Sequence, residues 1–287
     1  MSKRIWIIGF GDTHGGCRFG LMKPGIVLPP PDDKGKEWIP ESTKTQEWIF
    51  EEFQKHLDGV MKLVKKDEIF VIHGGEPTHG DVYADKEKVT TRKYDQYKIA
   101  KETLGIIAGL KNVKHWRFSK GTSSHVDGHG TAELIISDML SEEYGIDAKA
   151  YYHPYLDIKG KVFDVAHHGP GTGIRNWLKG NILRLYTRSL MMDEIMEGNS
   201  PPDVLLRHHF HDYVPETVKI RTNGKTHKTM AFVLPSYCGI TDFGIKAARS
   251  PSKLTVGMLL FEIYKDKVLD PYEFMSTLDL RRKEVFE

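Results

Sequence analysis

The chain has 287 residues and a formal net charge of +2, so it can bury a sizeable core and carries no charge excess that would require a nucleic-acid partner. Its two cysteines, Cys17 and Cys238, lack CxxC spacing, which argues against a disulfide framework or a thiolate zinc site. No apolar run is long enough to span a bilayer. We therefore expect no membrane partner. The cysteine usage favours a reducing compartment and hence a cytoplasmic location, and the lack of an internal repeat or low-complexity linker favours a single domain over residues 1–287.

The first half of the chain predicts three strand–loop–helix units. Short apolar runs rich in branched and aromatic residues predict buried strands at 5–10, 68–73 and 113–118. A proline-rich irregular loop, Phe19–Pro40, follows the first strand. Each strand ends in a polar, glycine-bearing loop, which is where open α/β sheets place their ligands. Helical spacing predicts helices from the capping box Thr43-x-x-Gln46 to Val64, over about Val89–Leu110, and over Thr131–Tyr144.

The second half mixes hairpins with one helix. Turn signals at Lys159-Gly160 and Asn223-Gly224 predict two β-hairpins, and the second has the composition of a type I′ turn. Apolar residues at helical spacing predict a helix over Ile174–Met196. The remaining strand-like runs are 203–207, 230–234 and 254–264.

Five predicted strand ends carry carboxylate or imidazole side chains, which are ligands for zinc, manganese, iron or nickel. Taken alone, each of these side chains is also explained by an ordinary role as a capping residue or a solvated loop residue. Residues two apart point the same way where the chain stays extended, and this applies to Asp12 with His14 and to His209 with His211. The occurrence of such side chains at five corresponding strand ends predicts a metal site. The side chains are Asp12/His14, Glu76, His125, His167/His168 and His209/His211.

This ordered set resembles the calcineurin-like metallophosphoesterases, whose pattern along the chain is DxH, GD, GNH, H and GHxH. The resemblance covers residues 5–213, and the loop GGCRFGL after the first motif is similar to that of uncharacterised phage and prophage members. It implies an α/β fold of two stacked mixed β-sheets flanked by helices, an α/β/β/α sandwich, with a two-metal centre at the carboxyl ends of the strands. The corresponding stretches here are 12–14, 75–76, 121–125, 167 and 208–211.

By position, the resemblance also implies a role for each motif residue. His125 would be the general acid near the leaving oxygen, and His168 stays open as the alternative to His167. Candidate supporting residues, chosen because they lie near these motifs in sequence, are His79, Asp81, Asp127 and His129, and a structural role is the alternative for each. The implied ligands are Asp12, His14 and His211 for the first ion, Glu76 as the bridge, and Thr122, His167 and His209 for the second.

The implied activity is metal-dependent hydrolysis of a phosphoester by a metal-bound hydroxide at a dinuclear centre. Manganese is the favoured ion, with zinc, iron or nickel as alternatives, and the favoured reaction is that of a phosphodiesterase or nuclease. A phosphomonoesterase and a non-catalytic scaffold with a degraded centre remain open. Nucleic acid or a nucleotide is the candidate substrate, and cations of the long loop are candidates to line a groove for it: Arg18, Lys23, Lys34 and Lys36.

Three departures from the family pattern bear on this expectation. Glu76 stands where Asp is usual and adds one methylene. Thr122 stands where Asn is usual and offers only a neutral hydroxyl, and Ser123 and Ser124 lengthen the loop to His125. His208 replaces a glycine. The second metal site is therefore expected to be the weaker one.

Overall fold

The computed structural model describes residues 4–30, 35–81, 85–125, 130–171, 178–241, 252–282 and 284. These residues form a 7-stranded and a 5-stranded sheet together with helices on both outer faces. The helices are α1 (Lys44–Val64), α2 (Lys93–Ala108), α3 (Thr131–Tyr144) and α4 (Asn181–Met196). The strands are β1 (Ile5–Phe10), β2 (Glu68–His73), β3 (Val113–Ser119), β4 (Asp147–Tyr151), β5 (Tyr155–Ile158), β6 (Lys161–Ala166), β7 (Val204–Arg207), β8 (Val214–Thr222), β9 (Lys225–Val233), β10 (Lys253–Tyr264), β11 (Lys267–Val268) and β12 (Tyr272–Asp279).

The larger sheet has the order β11-β10-β1-β2-β3-β4, and β12 also pairs with β10. Strands β1 to β4 are parallel, so their carboxyl ends meet at one edge. Side chains of β1 alternate between two cores, as a strand buried on both faces requires. Trp6, Ile8 and Phe10 pack with helices α1 to α3, whereas Ile5 and Ile7 face the second sheet.

The smaller sheet has the order β5-β6-β7-β9-β8, with β6, β7 and β9 parallel. Its inner face, including Phe163 and Leu206, packs against Ile7 and Phe261 of the larger sheet. Its outer face is covered by α4 through Leu183. The order of layers is therefore helix, sheet, sheet, helix, and this confirms the predicted fold class.

Two helices begin later than their sequence patterns predict. Helix α2 starts at Lys93 and not at Val89, because the Val89 amide donates to Gly16 O at 2.7 Å and draws the chain away from helical geometry. Helix α4 starts at Asn181, after Gly180 with φ of 91°. The predicted helix began at Ile174, and its first residues, 174–177, lie outside the described residues.

Strands β4 and β12 were not predicted, because neither has a continuous branched or aromatic run. Both pair along their whole length with a neighbouring strand: β4 with β3, and β12 with β10. The two hairpins are confirmed, and Asn223 and Gly224 both have positive φ, as a type I′ turn requires. Cys17 and Cys238 are buried and free. None of the described helices is long and apolar enough to cross a bilayer.

Candidate metal centre

The candidate site lies where the carboxyl ends of strands from both sheets meet. After β1 and β2, the Asp12 amide donates to Gly75 O at 2.9 Å. After β6 and β7, the His208 amide donates to His167 O at 3.0 Å. These bonds extend the parallel pairing past the ends of the strands. Residues that are distant in sequence are thereby held side by side.

The backbone at this edge is left-handed where the sequence pattern suggested extended chain. Positive φ is uncommon outside glycine and is often associated with function. Half of the ten described non-glycine residues with positive φ carry candidate ligands: Asp12 (50°), His14 (46°), Glu76 (54°), His209 (74°) and His211 (50°). The extended geometry on which the predicted common direction of residues two apart depended therefore does not persist at Asp12, His14, His209 and His211. The side chains of these five candidate ligands converge on turns of the backbone and not on extended chain.

One group of donor atoms surrounds His14 Nε2. It lies 3.2 Å from His211 Nε2 and 3.1 Å from Glu76 Oε2. Asp12 Oδ2 is 3.5 Å from His211 Nε2 and also accepts the His209 amide at 2.9 Å. His14, Glu76 and His211 thus form one cluster of donors. Asp12 borders it through Oδ2, and its Oδ1 lies 3.6 Å from His167 Nδ1.

A second group surrounds His167 Nε2, which lies 3.0 Å from Glu76 Oε1 and 3.2 Å from His209 Nδ1. Thr122 Oγ1 is 3.3 Å from both His167 Nε2 and His209 Nδ1. His167 Nδ1 faces Gly74 O at 2.9 Å, an outer hydrogen bond of the kind that orients metal-binding imidazoles and leaves Nε2 for the ion. His167 is buried, whereas His168 is exposed.

The two oxygens of Glu76 contact different donor groups, Oε2 the first and Oε1 the second. Donors about 2.1 Å from a tetrahedral ion lie about 3.4 Å from one another. The separations are 3.1 to 3.5 Å in the first group and 3.0 to 4.0 Å in the second, and both ranges bracket that spacing. The buried clusters of His, Asp and Glu are therefore able to hold metal ions.

The charges of the site also favour a bound cation. Burial raises the pKa of Asp12 to about 8, and Asp12 Oδ1 has no hydrogen-bond partner among the described residues. Burial acts to raise the pKa of Glu76 as well, but hydrogen bonds from His14 and His167 hold it well below its usual value. Buried carboxylates are costly without a positive partner. A divalent ion would provide that partner.

The histidines of the site are mainly in the neutral form that binds metals. Burial lowers the pKa of His209 and of His211 to about 4, and lowers that of His14 well below its usual value. His167 is the exception. Burial acts to lower its pKa, but the Asp12 and Glu76 carboxylates raise it to about 9. A metal ion would have to displace this proton, so binding at the second group should strengthen as pH rises.

His125 borders the first donor group. Its Nδ1 donates to His79 O at 2.7 Å, and its ring centroid lies 4.5 Å from that of His14 in a T-shaped contact. Burial lowers the pKa of His125, and Glu76 opposes this shift. One donor atom each from His14, His79 and His125 lies within 4.8 Å of the others. The arrangement is compatible with a proton donor and also with a ligand.

The remaining sequence candidates have different surroundings. His79 is buried beside His14 and His125. Asp81 pairs instead with Lys88 and Lys93, each at 3.9 Å. The structure does not describe Asp127 or His129.

Two of the four cations of the long loop have partners among the described residues. Arg18 Nε donates to Lys88 O at 3.0 Å, and Lys23 Nζ lies 4.0 Å from Glu102. Lys36 is exposed, and Lys34 lies outside the described residues. The side chains of Arg18 and Lys23 therefore both contact other residues of the chain.

His208 packs under the site and does not point into it. Its ring is fully buried and lies against two glycines. A Cβ at Gly74 would lie 2.1 Å from that ring, and a Cβ at Gly11 would lie 2.7 Å from it. Gly11 and Gly74 thus make the space for the larger residue at position 208.

Glu133, in the first turn of α3, was missed by sequence reasoning. It is fully buried, and its Oε1 accepts the amides of Glu76 (3.2 Å) and Gly121 (3.0 Å). Burial raises the pKa of Glu133 to about 7. In sequence, an acidic residue at a helix start indicates only capping, so nothing local identified its distant contacts.

Comparison with known proteins adds little to this description. No protein-family model matches the chain, and no curated protein matches it. A solved structure described as a novel archaeal phosphodiesterase is similar over 93% of this chain and 99% of its own, with 10% identity and a TM-score of 0.39. With a similarity this low, the functional interpretation rests on the side chains of this chain.

Proposed function

We propose that the chain is a metal-dependent phosphoester hydrolase of the metallophosphoesterase type, with phosphodiesters as the favoured substrates. The observation that carries the proposal is the shared carboxylate. Glu76 contacts His14 through Oε2 and His167 through Oε1, at 3.1 and 3.0 Å. One buried carboxylate between two sets of donors is the arrangement that a dinuclear centre needs.

In this proposal Asp12, His14 and His211 hold one ion, Thr122, His167 and His209 hold the other, and Glu76 holds both. Bound divalent ions would supply Lewis acidity to a water nucleophile and to the phosphoryl oxygens. Oxygen and imidazole donors without thiolate suit manganese, with zinc, iron or nickel as alternatives.

His125 is proposed to supply the proton to the leaving oxygen. The His79 carbonyl accepts from Nδ1 at 2.7 Å and thereby fixes the orientation of the ring. With Nδ1 donating to this carbonyl, the proton for the substrate would be carried on Nε2 in the imidazolium form. A positioned imidazole contributes about 10²–10⁴-fold to such reactions.

The direct test is turnover of a bis-aryl phosphate, with the matching monoester in parallel. We expect hydrolysis of the diester with added manganese, loss of activity on chelation and recovery on adding the metal back. The physical reason is that the nucleophile in this proposal is a water activated by the bound ions. Full activity in exhaustively metal-free protein would contradict the proposal. Absence of turnover with manganese, zinc, iron and nickel would favour the alternative of a non-catalytic scaffold.

The two sites should differ in affinity. The second set contains two imidazoles, a share of Glu76 and the neutral Thr122 hydroxyl, whereas Asp12 adds a carboxylate to the first. Calorimetric titration of metal-free protein with manganese should therefore show one tight and one weaker site. Thr122→Ala should weaken the second further, and Ser123→Ala, at the exposed neighbouring hydroxyl, should not. Two equally tight sites, weakened by Asp127→Ala or His129→Ala but unchanged in Thr122→Ala, would show that the ligand is misassigned.

A further inference from the structure

We infer that Glu133 is a positioning residue that sets the bridging carboxylate of Glu76 and the hydroxyl of Thr122 in register for metal binding. The inference rests on the proposed dinuclear function and extends it to a residue outside the donor set. Glu133 Oε1 accepts two backbone amides from two different loops, Glu76 N at 3.2 Å and Gly121 N at 3.0 Å.

These two loops follow neighbouring parallel strands, β2 and β3, and each carries a proposed ligand. They are also joined directly, because the Thr122 amide donates to Glu76 Oε1 at 3.2 Å. The contacts close a ring through Glu133, the backbone and side chain of Glu76, and the amides of Gly121 and Thr122. A shift of either loop would break the ring, so Glu133 holds the two proposed ligands at a fixed separation.

The backbone of Glu76 needs such support because its φ is 54°, a conformation that persists only where the surroundings determine it. Glu133 binds the Glu76 amide on one side, and the His14 amide donates to Glu76 O at 3.0 Å on the other. Space is also tight here: a Cβ on Gly121 would lie 2.6 Å from Glu76 Cγ.

Helix capping does not account for this arrangement. The residue before α3 is Gly130, which makes no side-chain cap. Asp95 offers a matched comparison, since it is likewise a fully buried acid at the third position of its helix, α2. Asp95 is bonded locally, by Thr90 Oγ1 at 3.0 Å. Glu133 instead joins two loops that are distant in sequence.

The experiment is manganese titration of the full chain by calorimetry, with thermal unfolding in parallel. Glu133→Ala should lower affinity at the second site by about 10–100-fold, as loss of an outer-sphere partner typically does, and lower it less at the first. Glu133→Gln keeps the acceptor oxygen and should bind both ions nearly as wild type does. Asp95→Ala should lower the unfolding temperature without changing either affinity.

Wild-type affinities in Glu133→Ala would overturn the inference, as would a Glu133→Gln variant as impaired as the alanine variant. If the alanine variant fails to fold, Glu133→Asp takes its place. Its carboxylate is one methylene shorter and should weaken the second site while keeping the charge. Wild-type protein that binds no manganese would instead refute the proposed function, so the two failures are distinguishable.

Discussion

Glu76→Gln is expected to remove both metal ions and turnover together. The two oxygens of Glu76 contact the proposed metal-binding nitrogens of both donor groups, at 3.1 Å from His14 Nε2 and 3.0 Å from His167 Nε2. The amide has nearly the same shape but lacks the negative charge, and it presents one carbonyl oxygen where the carboxylate presents two. Both sites therefore lose a charged ligand in one substitution, and turnover of a diaryl phosphate should fall to background.

Metal content of the purified variant, measured by elemental analysis, checks this prediction alongside activity. Asp95→Asn is the matched control because Asp95, on α2, is also a fully buried carboxylate and accepts a hydrogen bond from Thr90 Oγ1. It should keep wild-type metal content. A Glu76→Gln variant that retains two ions would show that Glu76 is not the bridge.

The second large effect is expected at His125. His125→Ala should reduce turnover by about 10²–10⁴-fold through loss of the proton donor, while metal content stays as in wild type. The loss should shrink for substrates with very acidic leaving groups, because such groups depart without a proton. The ring lies beside His14 and is held by His79 O, so its removal leaves the proposed ligands in place.

A set of aryl phosphates with leaving groups of graded pKa separates the two roles that the geometry allows for His125. A steeper dependence on leaving-group pKa in the variant would identify a proton donor. Loss of metal together with activity would make His125 a ligand, in a set with His14 and His79 whose donor atoms lie within 4.8 Å.

Much of the architecture was predictable from local patterns. The capping box at Thr43 and Gln46 forms as expected and starts α1. Strand β2 and helix α3 match their predicted bounds. These elements carry their own signal, because periodic apolar residues and capping side chains act over a few residues. Strands β4 and β12 lack such a signal and form only against their neighbours.

For the candidate site, the sequence by itself determined which residue types follow which strands, and hence the list of candidate donors. The tertiary structure decided how they group. It turned His167 inward and left His168 exposed, and it sent His209 and His211 to different donor groups by giving both left-handed backbone. It also brought Glu133 beneath the site. Spacing along the chain encodes the direction of a side chain only where the backbone is regular, and this site is built on turns, whose geometry depends on contacts between loops that are distant in sequence.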